Sequence, residues 1–522
     1  MMRTDGIPVT KTSPKDLSKR ELYTIFGALM LGMFLSALDG TIVSTALPTI
    51  IGELKGANHL SWVVVAYLLA STVSTPLWGK LGDLYGRKNL YQASIVFFLV
   101  GSILCGIANS MIALIIFRAI QGLGGGGLMV GAQAVIGDIV PPRDRGRYSG
   151  LFGATFGAST VLGPLIGGLI VDHFSWRWVF LVNIPLGIIA FLVTGVALPK
   201  SMTRVSHVID YAGALLLTLS ASSFILFTSL GGNAFSWSSW QSCGLAALGL
   251  VAGVAFWRVE MRAAEPVLAP RILGHRVVWS ASAIGFVVGF SMYGAMTFLP
   301  FFFQTVKGVS PTMSGLRLLP LMVGLFTTSM VAGQLLSKGW RYHRFPIFGT
   351  AIMTVGLALL GTVTMSTSSL MTTLFMLILG IGLGMVMQIL VVAVQNAVEL
   401  RDLGAATAAA NFFRSMGGSF GTAAFGALYT NILPHKLENA LVQQHLTGAS
   451  VPPSSMWTPD RLVHLPGPVL QAILTSIAQS IQTVFRYTLP FGILAFLLSL
   501  TLPDIKLRGQ LGDAEFPARP AE

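Results

Sequence analysis

Charge is scarce in this chain. Asp, Glu, Lys and Arg supply only 10% of its 522 residues, while 53% are hydrophobic; an ordinary soluble domain carries about 25% charged residues. So little charge excludes a soluble globular protein. Cysteine is rarer still: Cys105 and Cys243 both fall in apolar runs and offer neither a disulfide framework nor metal-ligand spacing. No histidine lies deep in an apolar run, which argues against a haem or zinc site in a membrane. The sequence also lacks the His, Asp, Cys or Ser cluster of a membrane enzyme and the soluble output domain of a sensor. No cofactor, no metal and no enzymatic activity are expected.

Apolar sequence is what the chain has in abundance, with a mean hydropathy of +0.74. A bilayer core of about 30 Å takes about 20 helical residues. Runs of that size lie near 22–47, 61–79, 90–108, 111–131, 148–171 and 178–198, then 211–231 and 240–257, then 278–303, 316–337, 345–365, 370–394, 405–432 and 484–502. Each must be helical, since backbone groups in lipid find no water to bond. The first run, Leu22 to Leu47, is too long for a signal-peptide core and ends at Pro48 with no small-residue cleavage site, so it reads as a retained span. The fold class expected is an all-α polytopic membrane protein of fourteen spans.

The basic residues test that map. With both termini in the cytoplasm, 24 of the 33 Lys and Arg fall in cytoplasmic segments and five in outer ones; Arg118, Arg317, Arg414 and Arg486 lie within or at the start of spans. Such a bias follows the positive-inside rule. It accounts for the +13 net charge through the lipid bilayer, with no nucleic-acid partner. The segment Gly79-Lys80-Leu81-Gly82-Asp83 after span 2 has a worn echo, Gly333-Gln334-Leu335-Leu336-Ser337, after span 10. Echoes at matching places in two halves suggest parallel repeats around a central cavity. The organisation expected is a cytoplasmic tail (1–21), an N-terminal six-helix bundle (22–198), a two-helix insert with cytoplasmic linkers (199–277), a C-terminal six-helix bundle (278–502) and a second cytoplasmic tail (503–522). Within the second bundle, 433–482 reads as an outer loop, with candidate amphipathic helices around 435–446 and 467–482 flanking Pro452 and Pro453.

Charge inside a span costs about 2.5–3.5 kcal/mol on insertion scales, so it is usually paired and functional. Of 20 acidic residues, only Asp39 lies well inside an apolar run. It precedes Pro48 by nine residues, and Arg118 follows Ser110 by eight, so both sit about 12–14 Å below the outer surface. Equal depth permits an ion pair, either a static one that fixes packing or one whose carboxylate gains and loses a proton as access alternates. Arg414 in span 13 fits a hydrogen-bonded structural role or a transport role. Gln388, Gln395 and Asn396 are polar enough to line a cavity or to glue helices together. Tyr293 and Phe298, with Met292, form either an adaptable apolar surface for a greasy substrate or ordinary packing. In span 5, Gly153 and Gly157, then Gly163 and Gly167, put small faces on one side, and Pro164 bends the helix between them.

On these residues the chain resembles the fourteen-span drug:proton antiporters of the major facilitator superfamily, a multidrug efflux family. Span 1 carries Leu38-Asp39-Gly40-Thr41-Ile42-Val43 and Ala46-Leu47-Pro48, similar to that group's first-helix motif. Gly79, Leu81, Asp83, Gly86, Arg87 and Lys88 resemble the superfamily's loop between spans 2 and 3. Arg118, Gln121, Gly122 and Gly124 resemble the span 4 motif, and Gly163-Pro164 with Gly167-Gly168 the span 5 motif of antiporters. Trp176-Arg177-Trp178 with Asn183 and Pro185, and Arg414 with Gly417, Gly418 and Gly421, are similar to the fourteen-span group. The resemblance implies two six-helix bundles plus two additional helices. It implies that Arg118 takes part in proton coupling, and that Asp83 and Arg87 latch the cytoplasmic gate with Asp138 as partner of Arg87. Span 5 points to export, and Gln121 joins Tyr293, Phe298, Gln388 and Arg414 as candidates for the substrate cavity. The function implied is proton-driven antiport of hydrophobic or amphiphilic drugs and toxic compounds across the plasma membrane. An exporter dedicated to one endogenous lipid, siderophore or secondary metabolite would carry the same motifs.

Overall fold

The computed structural model describes residues 19–54, 60–140, 155, 157–159, 162–163, 165–171, 173–198, 210–232, 235–263, 266–399, 402–444 and 465–505. Gly153, Pro164, Pro452, Pro453, most of both tails and the side chain of Tyr293 fall outside the described residues.

The apolar runs read from the sequence land on helix over nearly all of their described residues. The long helices are α1 (Lys19–Leu54), α2 (Leu60–Tyr85), α3 (Arg87–Gly106), α4 (Met111–Ile139) and α5 (Asn183–Ala197). The pair α6 (Tyr211–Leu230) and α7 (Trp240–Glu260) follows, and then α8 (Arg276–Phe301), α9 (Leu319–Ser337), α10 (Arg344–Leu360), α11 (Ser369–Ala397), α12 (Leu403–Gln443) and α13 (Gly467–Ser499). Span 5 is described as helical residues between 155 and 171. Ten of the described helices are long and apolar enough to cross a membrane, and α10 and the Arg276–Met292 part of α8 are shorter apolar helices. Serine and aspartate start several of them: Ser110 accepts from Ala113 N at 3.2 Å, Asp210 from Gly213 N at 2.7 Å and Ser368 from Met371 N at 3.3 Å. Each cap satisfies a backbone N–H that has no partner within the helix.

Apolar clusters gather separately in the two halves among the described residues, two of them in the first half. Of those two, one draws on α1 to α5 and the other on α1 to α4 with Trp176, Val179 and Phe180. The cluster of the second half is built from α8 to α13 and the turns between them. Helices α6 and α7 pack on each other and rest on the seam between the halves, where Leu217, Ala221 and Phe256 meet Val73 of α2 and Ala409 and Phe412 of α12. Large apolar side chains on the outside, such as Leu192, Leu250 and Val251, are more than half exposed. A protein in water would cover such a surface; hydrocarbon makes it a solvated one.

Glycine sets the closeness of these helices. Gly417 and Gly421 bring α12 so near α8 that a Cβ on either would meet the carbonyl oxygen of Phe286 or Phe290. A backbone carbonyl cannot swing aside as a side-chain tip can. Gly421→Val should therefore destabilise the second bundle by about 1–3 kcal/mol, the usual cost of overpacking. The check is the thermal unfolding temperature in detergent, and an unchanged value would show that α8 and α12 part freely.

The 433–482 stretch differs from its reading as a separate outer element. Helix α12 runs without a break through Pro434 to Gln443, and α13 begins at Gly467. Both candidate amphipathic helices are thus extensions of the neighbouring long helices. Val469, Ala472, Ile473, Ser476, Ile477, Ser480 and Ile481 form a buried stripe along α13 at helical spacing, which packs into the core of the second half.

Candidate functional site

The buried charges of the first half converge. Asp39 of α1 and Arg118 of α4 form an ion pair with side-chain exposures of 0% and 1%. Arg118 also donates through Nε to the Val63 carbonyl of α2 at 3.2 Å and stacks over the Tyr67 ring at 4.3 Å. Gln121 lies three residues further along α4 and so on the same face. Its Oε1 accepts from Arg118 Nη1 at 2.7 Å, and its Nε2 donates to Asp39 Oδ1 at 2.8 Å and Ser102 Oγ at 2.7 Å. Asn183 of α5 donates to Asp39 Oδ1 at 3.3 Å and to Ser102 Oγ at 3.2 Å. Tyr67 closes the site below, hydrogen-bonded with Ser36 Oγ at 3.0 Å. Two charges out of water are tolerated only with good geometry and further hydrogen bonds, and five helices supply such bonds here. The cluster sets one carboxylate against one guanidinium in a shell of neutral polar groups.

Small residues let this cluster form. A Cβ on Gly122 or Gly126 of α4 would meet the carbonyl oxygen of Tyr67 or Ser71 in α2, and one on Gly124 would meet α3 at Phe98. On α1, two residues from Asp39, Thr41 donates to the Ser159 carbonyl at 2.9 Å, and a Cβ on Gly163 would meet the Thr41 side chain. The span 5 stretch therefore touches α1 beside the acid. Gly167 is buried and Gly168 half-buried.

A second cluster joins the halves at the 79–88 loop. Gly86 has φ 92, a left-handed conformation that side chains rarely adopt, and it turns the chain so that Arg87 folds back on α2. Arg87 pairs with Asp83, donates to Asp138 Oδ2 at 2.9 Å and reaches the Gly79 carbonyl at 3.4 Å. Asp83 in turn accepts from the backbone N–H of Gly404 at 3.1 Å and Ala405 at 2.8 Å. It caps the start of α12, where the unpaired N–H groups carry partial positive charge. Gly79 and Gly404 permit the approach, since a Cβ on Gly79 would meet Ala408 Cβ at 2.5 Å and the Gly404 carbonyl at 2.7 Å. One further set spans the same seam. Gln133 of α4 accepts from Asn411 Nδ2 at 2.6 Å, Asn411 accepts from Arg414 Nη2 at 2.6 Å, and Gln395 donates to the Gln133 carbonyl at 3.3 Å.

The remaining cavity candidates scatter. Gln121 is fully buried and turned towards Asp39. Phe298 is buried with its ring 5.4 Å from that of Tyr429, which is packing. Gln388 is buried in α11, and Arg414 belongs to the inter-half network.

Two further acids, which nothing in the sequence singles out, are engaged. Glu260 ends α7 almost fully buried, accepting from the backbone N–H of Val267 at 3.1 Å and Leu268 at 3.3 Å. In sequence it looks like a solvated residue at the end of a run. Glu53 at the far end of α1 takes Arg177 at 2.5 Å and the Trp176 indole at 2.8 Å. Those two donors hold its pKa below the usual carboxylate value. With the folded value depressed, this tie is present above the ordinary carboxylate range and lost as pH falls through the folded pKa. Glu53→Gln should remove that part of the acid-induced loss of thermal stability; identical pH profiles for variant and wild type would contradict it.

A bundle of apolar helices that buries a carboxylate–guanidinium pair, with its halves tied at one end, fits a membrane transporter. The chain belongs to the Major Facilitator Superfamily, whose family model matches residues 29–422. An uncharacterised MFS-type transporter of Mycobacterium tuberculosis is 41% identical over 94% of this chain and 71% of its own. The multidrug transporter protein MdtP of Bacillus subtilis is 38% identical over 94% of both chains. The crystal structure of the human organic anion transporter MFSD10 shares the fold at TM-score 0.63, covering 92% of this chain and 100% of that one at 14% identity.

Proposed function

We propose that this transporter is a proton-coupled antiporter that exports hydrophobic or amphiphilic compounds across the plasma membrane, with fourteen spans and both termini in the cytoplasm. The observation that carries the reading is the Asp39–Arg118 pair, a fully buried charge couple that a single proton converts into a lone cation. Asp39 is the proton carrier in this reading and Arg118 sets how readily the proton leaves. The proton gradient drives the cycle, and no cofactor is needed. The ties of Asp83, Arg87 and Gln133 hold the cytoplasmic ends of the halves together, so opening to the cytoplasm requires breaking them. The similarity to a multidrug transporter supports a broad range of substrates.

The test uses the full chain in liposomes with an imposed pH gradient and a panel of hydrophobic dyes and antibiotics. Several unrelated compounds should each drive proton movement against their own. Transport that proceeds with no proton movement overturns antiport, and a response to one compound alone replaces the multidrug reading with a dedicated exporter.

A further inference from the structure

Asn183 is fully buried, and its carbonyl Oδ1 has no hydrogen-bond partner among the described residues. Its Nδ2 is engaged, donating to Asp39 Oδ1 and Ser102 Oγ. A buried polar atom left unpaired is costly and asks for a reason.

The surroundings of Asp39 supply one. Every side chain bonded to its carboxylate is a donor: Arg118 on Oδ2, Gln121 and Asn183 on Oδ1. That suits a charged carboxylate and leaves a protonated one with an O–H and no acceptor among them. Gln121 cannot provide the acceptor by turning its amide over. Its Oε1 already accepts from Arg118 at 2.7 Å, faces the Cys105 thiol at 3.7 Å, and would be replaced there by an NH2 against the guanidinium. Arg118 and Tyr67, the charged and titratable neighbours from α4 and α2, offer donors or a ring face. Asn183 is different. Turning its amide over breaks nothing on the side where Oδ1 has no partner, and puts that oxygen opposite Asp39 Oδ1 and Ser102 Oγ. A carboxylic acid can donate to it, and so can a serine hydroxyl, which both donates and accepts.

We propose that Asn183 is a positioning residue that reads the protonation state of Asp39, its amide donating to the carboxylate and, turned over, accepting from the acid. The inference rests on Asp39 being the proton carrier. The step is proton binding alone: hydronium gives up a proton and leaves as water, an O–H bond forms at Asp39 Oδ1, and Arg118 keeps its charge. Because α5 carries the asparagine, the turn delivers the proton's arrival to a helix that has no charge of its own in the site.

Infrared difference spectra between acid and alkaline pH, on full-length protein reconstituted in lipid with isotope-labelled asparagine, read both groups at once. A carboxylic-acid carbonyl band should appear on acidification, and one asparagine carbonyl band should shift with the same midpoint. Asp39→Asn should remove one carboxyl component from among those of the other acids, and the asparagine shift with it. Asn183→Leu, with Asn183→Ser as a second variant should leucine not fold, should keep the carboxyl band and lose the asparagine shift. A wild-type carboxyl band accompanied by no moving asparagine band overturns the proposal and leaves the proton-carrier reading intact. Identical carboxyl bands in wild type and Asp39→Asn overturn the proton-carrier reading itself, and this proposal with it.

Discussion

Asp39→Asn should abolish proton release on substrate addition while leaving the fold in place. Asparagine is the same size and keeps an oxygen for the Gln121 amide, which donates to Asp39 at 2.8 Å in the wild type. What it removes is the charge opposite Arg118, whose guanidinium is 1% exposed. Breaking a buried pair by deleting one partner costs about 3–5 kcal/mol, because the other charge is left uncompensated. The single variant should therefore be both uncoupled and less stable. Asp39→Asn/Arg118→Met separates the two effects, since removing both charges is often neutral or stabilising. The double variant should regain thermal stability and remain without proton release. Restored coupling in the double variant would contradict Asp39 as proton carrier, and unchanged stability in the single would contradict the pair as a buried couple.

Asp83→Asn should open the end of the molecule that bears the 79–88 loop. The carboxylate of Asp83 binds two backbone N–H groups at the start of α12 as well as Arg87. An amide of the same shape can accept from one N–H but sets its own NH2 against the other, and its charge is gone. Hydrogen bonds to charged groups contribute about 1.5–3 kcal/mol each, and every 1.4 kcal/mol is about tenfold in an equilibrium constant. The population with separated halves should rise at least about tenfold. Ala408 faces Gly79 across the seam and is fully buried. A cysteine placed there, with the exposed Cys243 changed to serine, reports the opening through its rate of thiol labelling. Unchanged labelling would show that Asp83 does not hold the halves together.

Charge was the readable part of the site. Asp39 and Arg118 stood out because each is an isolated charge in an apolar run, and equal depth in two helices was enough to pair them. Asn183 and Ser102 carried no such signal. Neutral polar residues are common in packed membrane helices, and nothing along the chain distinguishes those that meet a carboxylate. By resemblance Asp83 was expected to latch a gate together with Arg87, and it pairs with Arg87. Its partners across the seam were illegible, because they are backbone N–H groups more than 300 residues away that any sequence possesses. Glu260 was hidden for a similar reason: its acceptors' partners are the N–H groups of Val267 and Leu268. The 433–482 stretch misled through hydropathy. Falling apolarity and Pro434 suggest that a helix has ended, yet the helix continues where its buried stripe finds a core to pack on.

The linear sequence determined where the apolar segments lie and how few charges they hold, since the transfer of a residue into hydrocarbon depends almost entirely on that residue. From this came an all-helical membrane protein and the isolation of Asp39. The tertiary structure alone decided which atoms surround that carboxylate and which helix end Asp83 caps. Such choices are set by the approach of helices to within a carbonyl's contact distance, at Gly124, Gly404 and Gly421 among others, and by donors brought together from five separate helices. Packing of that kind is a property of neighbours in space, which no single segment carries.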